Sequence, residues 1–296
     1  MVKKMLKKIV IACSGCEPAL LHKILREKFN SWSIKQAVDE NRNADMVEKL
    51  RLIVPDISQQ EESEKVVFNK NCEIKRRALQ AFQCTLMLKA LEGITCGKIT
   101  VVDIGDSAGT HMLYLNELVK GKHKVETISV NLDVRAIKKI EARGLKALLC
   151  RAEDLDLGES KIDLFTSFQM VEHLHNPALF FRRLAKRSSG NKCLVTVPYL
   201  RKSRVGLHNI RNRSDQAIFA EDQHVFELSP TDWTLLMLHA GWKVVYSKIY
   251  HQYPRRWPLL SRFLSSYWRK NDYEGFWGAI LEKNTTFSDR YQDWEE

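Results

Sequence analysis

One stretch of the sequence combines a carboxylate with two glycines in the manner of a ligand-binding turn. Residues 100–110 read Thr-Val-Val-Asp-Ile-Gly-Asp-Ser-Ala-Gly-Thr, so an apolar run ends at Asp103 and Gly105 and Gly109 follow. Glycine has no Cβ, which lets the backbone approach a nucleotide-like ligand closely. Because a carboxylate at this turn disfavours a pyrophosphate, the pattern predicts a site for a cationic cofactor.

Two histidines are candidates for acid–base chemistry. His173 follows the fourth predicted strand, and His224 precedes the helix that begins near Ser229. Imidazole titrates near neutral pH, so either ring is suited to taking a proton from a hydroxyl group. For both residues the alternative is a structural role in hydrogen bonding. We expect His111, in the first turn after the glycines, to pack beside the cofactor.

The seven cysteines are scattered and form no framework. Cys13 and Cys16 have a spacing seen in metal and redox sites, but no second pair of cysteines or histidines follows at a zinc-site interval. We therefore predict reduced thiols, a cytoplasmic location and no metal site.

Apolar runs alternate with helical patterns in the second and final thirds of the chain. Asp133, Asn176 and Ser229 are predicted to cap three of the helices. This alternation predicts a mostly parallel sheet with helices on both faces. The predicted strands are 99–104, 125–130, 147–150, 162–168, 193–197, 242–249 and 275–283.

Residues 1–72 are predicted to be a helical extension with helices at 19–29 and 46–53, and residues 286–296 a tail. The domain between them, 73–285, has an insertion at about 251–274. Within it, 253–270 carries apolar residues at near-helical steps among five arginines and lysines. This segment is predicted either to lie on an anionic membrane surface or to pack as a lid over the acceptor pocket. The apolar positions are Trp257, Leu260, Leu264 and Trp268.

The charge balance narrows the function classes only slightly. The chain of 296 residues has 47 basic and 36 acidic residues, a formal net charge of +11. This excess indicates either an anionic partner or a solvated basic surface. A bundle of membrane-spanning helices is excluded, because the longest apolar runs are far shorter than the roughly 18 residues such a helix needs.

Together these motifs resemble class I S-adenosylmethionine-dependent methyltransferases, in particular the group of ubiquinone, menaquinone and small-molecule methyltransferases. Besides the glycine turn, the resemblance is carried by Val-Asn-Leu-Asp at 130–133, Cys-Arg-Ala-Glu-Asp-Leu at 150–155, Ile-Asp-Leu-Phe at 162–165, Met-Val-Glu-His-Leu at 170–174 with Asn-Pro at 176–177, and Asp-Gln-His-Val-Phe at 222–226. It implies a Rossmann-like sheet of seven strands and S-adenosylmethionine as cofactor.

The resemblance also implies which residues contact the cofactor. These are Asp103, Gly105, Ser107 and Gly109 at the turn, Asn131 and Leu132 after the second strand, Ala152 and Glu153 beside the adenine, and Gln169 and Met170 after the fourth strand. Three positions depart from the family pattern. Ser107 replaces a glycine, Asn131 replaces a ribose-binding carboxylate, and Arg151 replaces an acidic residue.

The predicted function is methylation of an oxygen, or less often nitrogen or carbon, on a small molecule or on a glycan or lipid precursor. One alternative is a binding protein that keeps the fold without catalysis, given the three departures. A nucleic-acid methyltransferase is less favoured, because the chain has no Asn/Asp-Pro-Pro-aromatic tetrapeptide and no cysteine motif for methylation at C5 of a pyrimidine.

Overall fold

The computed structural model describes residues 18–60, 68–94, 97–158, 160–206 and 223–291. Cys13, Cys16 and Asp222 lie outside these ranges. The Cys-x-x-Cys spacing and the first residue of the Asp-Gln-His-Val-Phe motif are therefore outside the described residues.

The centre of the structure is a seven-stranded sheet in the order β3-β2-β1-β4-β5-β9-β8. Its strands are β1 Lys98–Ile104, β2 Lys124–Asn131, β3 Lys146–Leu149, β4 Leu164–Phe168, β5 Lys192–Pro198, β8 Trp242–His251 and β9 Gly275–Lys283. β9 runs antiparallel to both β5 and β8, and all other neighbouring strands of this sheet are parallel. The predicted seven-stranded, mostly parallel sheet is therefore confirmed. Two further short strands, β6 Arg204–Val205 and β7 Phe226–Glu227, form a separate antiparallel pair that the sequence did not predict.

Eight α-helices are present in the described ranges and cover both faces of the sheet. They are α1 Pro18–Glu40, α2 Ala44–Ile53, α3 Lys70–Ala90, α4 Thr110–Leu118, α5 Val134–Glu141, α6 Pro177–Arg187, α7 Pro230–His239 and α8 Pro258–Asn271. Buried residues of α1, α2, α3, α4 and α8 form one hydrophobic cluster with the sheet. Buried residues of α6 and α7 form a second cluster with strand residues such as Val102, Phe165 and Val195.

All three predicted helix caps are confirmed. The side chain of Asp133 accepts a hydrogen bond from Arg135 N, that of Asn176 from Leu179 N, and that of Ser229 from Asp232 N. These bonds satisfy backbone N–H groups that have no partner inside the helix.

Helix α1 continues 11 residues beyond the predicted end at Phe29 because its later turns pack against α8. Ser33 accepts a hydrogen bond from Trp268 Nε1 at 3.0 Å and donates one to Gln252 O at 3.0 Å. Asn30 accepts one from Tyr267 Oη at 2.7 Å. Tertiary packing thus outweighs the weak helix propensity of asparagine and serine here.

Helix α8 contains most of the predicted basic amphipathic segment, but its apolar face points inward. Leu264 and Trp268 are buried in the core and Leu260 packs against it, so these residues do not face a membrane. The outward face carries a different apolar pair, Leu259 and Phe263. No helix in the described part of the chain has both the length and the apolarity required to cross a bilayer.

Candidate active site

The glycine turn connects the end of β1 to the start of α4, as predicted. Gly105 has φ +89°, a left-handed backbone conformation that residues other than glycine rarely adopt. A Cβ added there would lie 2.5 Å from Met170 Cγ. Gly105 N donates to Val130 O at 2.8 Å, which ties the turn to β2. Glycine is therefore needed here both for the backbone conformation and for the close approach of Met170.

Asp106 holds the turn together from inside, a role that the sequence did not suggest. Its buried carboxylate accepts hydrogen bonds from Ala108 N at 3.1 Å, Gly109 N at 2.7 Å and Ser129 Oγ at 2.6 Å. Asn131 Nδ2 donates to Asp106 O at 2.9 Å. The turn is therefore fixed by the protein before any ligand binds.

Asp103, the predicted acidic residue of the turn, is buried. It accepts a hydrogen bond from Thr166 Oγ1 of β4 at 2.8 Å. Burial raises the pKa of Asp103 well above its usual range, and the nearby charge of Asp106 adds to the shift.

Gly109 has a packing function. It has φ +73° and is the N-cap of α4, and a Cβ there would lie 2.5 Å from Leu145 Cδ1. Close packing of α4 against the loop after α5 accounts for this glycine. Its role as a cofactor contact stays a prediction.

The remaining predicted cofactor contacts lie along the carboxyl ends of β2, β3 and β4. Asn131 pairs with Leu149, the last residue of β3, and Cys150 N donates to Asn131 O at 3.0 Å. Ala152 and Glu153 follow in a short 3-10 turn. Leu132 is 65% exposed and Ser107 is partly exposed, so both are accessible to a ligand.

Gln169 follows the last residue of β4 and has a left-handed conformation, with φ 56°. Its backbone N–H donates to Thr196 O at 2.8 Å and its Nε2 to Thr196 Oγ1 at 3.2 Å. The same hydroxyl accepts from Gln83 Nε2 at 2.9 Å, and Gln83 Oε1 lies 2.9 Å from His111 Nε2. A non-glycine residue in this conformation persists because its surroundings hold it, as is common at functional sites.

His173 and His224, the two predicted acid–base residues, lie together. Their ring centroids are 4.7 Å apart and the rings are nearly perpendicular, at 87°. His173 belongs to the 3-10 turn Val171–His173 that follows Met170, and His224 precedes β7. Residues 51 positions apart in the sequence therefore share one site beyond the glycine turn.

The environment of His224 is polar. Its Nδ1 lies 2.8 Å from Tyr273 Oη and 3.4 Å from Glu227 Oε1, and Tyr273 Oη donates to Glu227 Oε1 at 2.8 Å. Burial opposes the charged form of His224, but Glu227 and Glu172 outweigh it and raise the pKa of His224. Glu227 is also paired with Arg204.

Glu172 is the third member of this cluster and is 1% exposed. Neither carboxylate oxygen has a hydrogen-bond partner within the described part of the chain. Burial raises the pKa of Glu172 to about 7. One ligand atom from each of Glu172, His173 and His224 lies within 4.8 Å of the others, so the three residues offer a donor set for a metal ion.

The strands and helices that carry the glycine turn match those of a known protein family. Residues 102–188, which extend from β1 to just past α6, match the family described as a methyltransferase domain. This match identifies a methyltransferase domain within the chain. S-adenosylmethionine is accordingly the cofactor of this methyltransferase domain. No curated protein matches the chain in sequence.

Solved structures support the same fold. A protein of Galdieria sulphuraria assigned as a sarcosine dimethylglycine methyltransferase is 12% identical, with a TM-score of 0.51 over 81% of this chain and 98% of its own. A Listeria monocytogenes protein assigned as an S-adenosylmethionine-dependent methyltransferase is 12% identical, with a TM-score of 0.50 over 70% and 98%. The cyclase SpnF, also 12% identical, has a TM-score of 0.50 over 69% and 82%. At such identities the likeness concerns the fold, which carries more than one reaction.

Sequence reasoning missed four residues of this methyltransferase site. Asp106 and Glu172 are adjacent to predicted residues, and their positions inside two family motifs were a usable signal. Glu227 and Tyr273 reach the site through the β6–β7 pair and the segment before β9. No local pattern in the sequence marks these last two residues.

Proposed function

We propose that this protein transfers a methyl group from S-adenosylmethionine to an oxygen atom of a small molecule or of a glycan or lipid precursor. The observation that carries the proposal is the contact between its two functional regions. Met170 lies over Gly105, and the turn Val171–His173, which carries Glu172 and His173, follows Met170 directly. A cofactor on the glycine turn is therefore adjacent to the acid–base cluster.

The glycine turn fits a nucleoside cofactor. Gly105 has no Cβ, Ser107 and Leu132 are accessible, and the turn needs no rearrangement to be ordered. The residues that would hold S-adenosylmethionine are Asp103, Gly105, Ser107, Gly109, Asn131, Leu132, Ala152, Glu153, Gln169 and Met170. Asn131 can offer hydrogen bonds to a ribose hydroxyl without the charge-assisted strength of a carboxylate.

When bound, S-adenosylmethionine supplies a methyl group activated by its sulfonium. In methyl transfer the carbon–sulfur bond breaks with its electron pair staying on sulfur, and an acceptor oxygen forms the new bond to carbon. The hydroxyl proton must leave. His173 and His224 are the groups that can take or displace that proton, and the rest of the site orients the acceptor and excludes water.

Calorimetry with S-adenosylhomocysteine tests the cofactor site directly. We expect one binding site per chain, with binding lost in Gly105→Val. A binding protein without catalysis would bind S-adenosylhomocysteine yet transfer no methyl group to any hydroxyl-bearing acceptor in a radiolabel screen. With an acceptor in hand, His173→Ala or His224→Ala should lower turnover by about 10².

The outward face of α8 is proposed as a contact for an anionic membrane surface. Leu259 is 84% exposed, Phe263 61% and Trp257 43%, and α8 has no acidic residue. Four arginines and a lysine on α8 or just before it are also exposed, namely Arg255, Arg256, Arg262, Arg269 and Lys270. Apolar side chains that enter the headgroup region and cations that meet anionic lipid are the two requirements of such a surface. A lipid-linked acceptor would be methylated at that surface.

Vesicle sedimentation tests the membrane contact. Binding to anionic vesicles but not to neutral ones, weakened by salt and lost in the Leu259→Ser, Phe263→Ser double variant, is expected. Leu52→Ser is the matched control, because Leu52 on α2 is equally exposed at 82%. Absence of sedimentation with anionic vesicles at low salt rules out this surface and leaves the other prediction, that the segment packs as a lid over the acceptor pocket.

A further inference from the structure

Glu172 is a buried acidic side chain whose carboxylate has no hydrogen-bond partner in the described part of the chain, although its charge interacts with that of His224. It is 1% exposed, and both carboxylate oxygens lack a hydrogen bond. An ionised carboxylate removed from water without a compensating partner costs several kcal/mol. Buried charges in proteins are normally paired or coordinate metals.

The nearest side chains to Glu172 include two imidazoles. Ligand atoms of Glu172, His173 and His224 lie within 4.8 Å of one another. An ion bound at about 2.1 Å from each ligand atom holds those atoms roughly 3 to 4 Å apart. A contraction of about 1 Å would therefore bring the three side chains to coordination distance.

Neighbouring groups orient both rings as in metal sites. His224 Nδ1 lies against Tyr273 Oη and Glu227 Oε1, and His173 Nδ1 lies 3.2 Å from Gln223 O. A ligating histidine usually donates its other ring N–H to a carboxylate or a backbone carbonyl, which fixes the ring and raises its basicity. Here one histidine faces each kind of partner.

The backbone holds the ligands on a short rigid turn. His173 N donates to Met170 O at 2.9 Å, and Val225 N donates to Glu172 O at 2.8 Å. The second bond joins the turn that carries Glu172 and His173 to the segment that carries His224. The backbone that carries the three side chains is thus held by hydrogen bonds in which those side chains take no part.

We propose that Glu172, His173 and His224 bind a divalent first-row transition-metal ion. Two imidazoles and one carboxylate suit Zn²⁺, Fe²⁺ or Co²⁺ better than Mg²⁺ or Ca²⁺, which prefer oxygen ligands. Three protein ligands leave a coordination position open, as in catalytic zinc sites. This proposal replaces the prediction of no metal site.

Use of the ion in methyl transfer rests on the proposed function. An acceptor hydroxyl on the open position would lose its proton to solvent at a lower pH than it does free in water. The two histidines would then act as ligands, and the ion would take over the task assigned to a histidine base.

Cobalt titration of the full-length protein tests the site without any acceptor. After treatment with a chelator, we expect one Co²⁺ per chain, visible d–d absorption typical of a low-coordinate site, and displacement by Zn²⁺. Glu172→Gln, His173→Ala and His224→Ala should each weaken Co²⁺ binding at least tenfold. Tyr273→Phe should weaken it about tenfold through the orientation of His224.

His175→Ala is the matched control, because His175 is exposed and only two residues from His173. Each variant is accepted as folded if its affinity for S-adenosylhomocysteine equals that of the parent. Substoichiometric Co²⁺, or binding that survives all three ligand variants, overturns the metal site. Metal binding without methyl transfer to any acceptor would leave the site standing and count against the proposed function. Methyl transfer by metal-free protein would support the proposed function and overturn the use of the ion in it.

Discussion

The glycine turn and the Glu172–His173–His224 cluster lie next to each other at one edge of the sheet. They differ in whether their buried carboxylates are hydrogen-bonded. At the turn, Asp106 accepts three hydrogen bonds and Asp103 accepts one from Thr166. In the cluster, Glu172 is equally buried but has no partner for either oxygen in the described residues.

The difference distinguishes a binding floor from a reactive centre. A floor binds best when its shape is fixed beforehand, because no ordering cost remains at binding. A reactive centre needs polar groups whose partners are the acceptor or an ion, at a cost in stability. The two regions should therefore respond differently to substitution.

The largest effect is expected at Gly105. Gly105→Val should weaken S-adenosylhomocysteine binding by at least about 100-fold, since the new side chain must displace Met170 and adopt a left-handed backbone. Gly121→Val is the control, because Gly121 has φ +82° and open space around its Cβ position. Equal losses in the two variants would attribute the effect to backbone strain and not to the turn.

Asp106→Ala should destabilise the fold by about 3 kcal/mol, since it leaves two backbone N–H groups and Ser129 Oγ without their buried acceptor. Asp133→Ala, which removes a helix cap, should cost about 1 kcal/mol. Urea denaturation measures both. A cost for Asp106→Ala no larger than for Asp133→Ala would mean that the turn is not fixed in advance.

Asp103→Asn should stabilise the unliganded protein, and increasingly so at higher pH. Burial raises the pKa of Asp103 above 3.8, so the parent loses folding stability as pH rises from 3.8 through the raised value. Asparagine does not titrate and still accepts from Thr166. The difference in melting temperature, variant minus parent, should therefore grow between pH 4 and pH 8. A difference in melting temperature that does not change with pH would mean that ionisation of Asp103 does not destabilise the folded parent protein.

The smallest effect is expected on cofactor binding when a histidine of the cluster is replaced. His173→Ala and His224→Ala should change the affinity for S-adenosylhomocysteine by less than about twofold, because neither ring takes part in the hydrogen bonds that fix the turn. Isothermal calorimetry under one buffer condition suffices. If either variant loses more than tenfold in affinity for S-adenosylhomocysteine, the glycine turn and the cluster act as a single binding site.

Much of the fold was predictable because its signals are local. Alternating apolar runs gave all seven strands of the central sheet, and the caps at Asp133, Asn176 and Ser229 gave three helix starts. The full length of α1 was not predictable, because its later turns are stabilised by α8. The inward direction of the apolar face of α8 was not predictable either, because periodicity identifies an apolar face but not what covers it.

The candidate site was predictable in part. Family motifs pointed to Asp103, Gly105, His173 and His224, and the structure brings the two histidines within one cluster. The unpartnered state of Glu172 could not be foreseen, because it depends on burial by the whole chain. Tyr273 joins the site from 49 residues beyond His224, a pairing that only the folded chain creates.

The contacts between α1 and α8 bear on synthesis of the protein in the cell. Ser33 bonds to Gln252 and Trp268, which lie 219 and 235 residues later in the chain. At about 5 to 20 residues per second, the ribosome needs roughly 10 to 50 s to add that length. Throughout that interval Ser33 on α1 has neither of these partners. Helix α1 is thus synthesised well before the helix to which it bonds, which makes it a natural binding site for chaperones during translation.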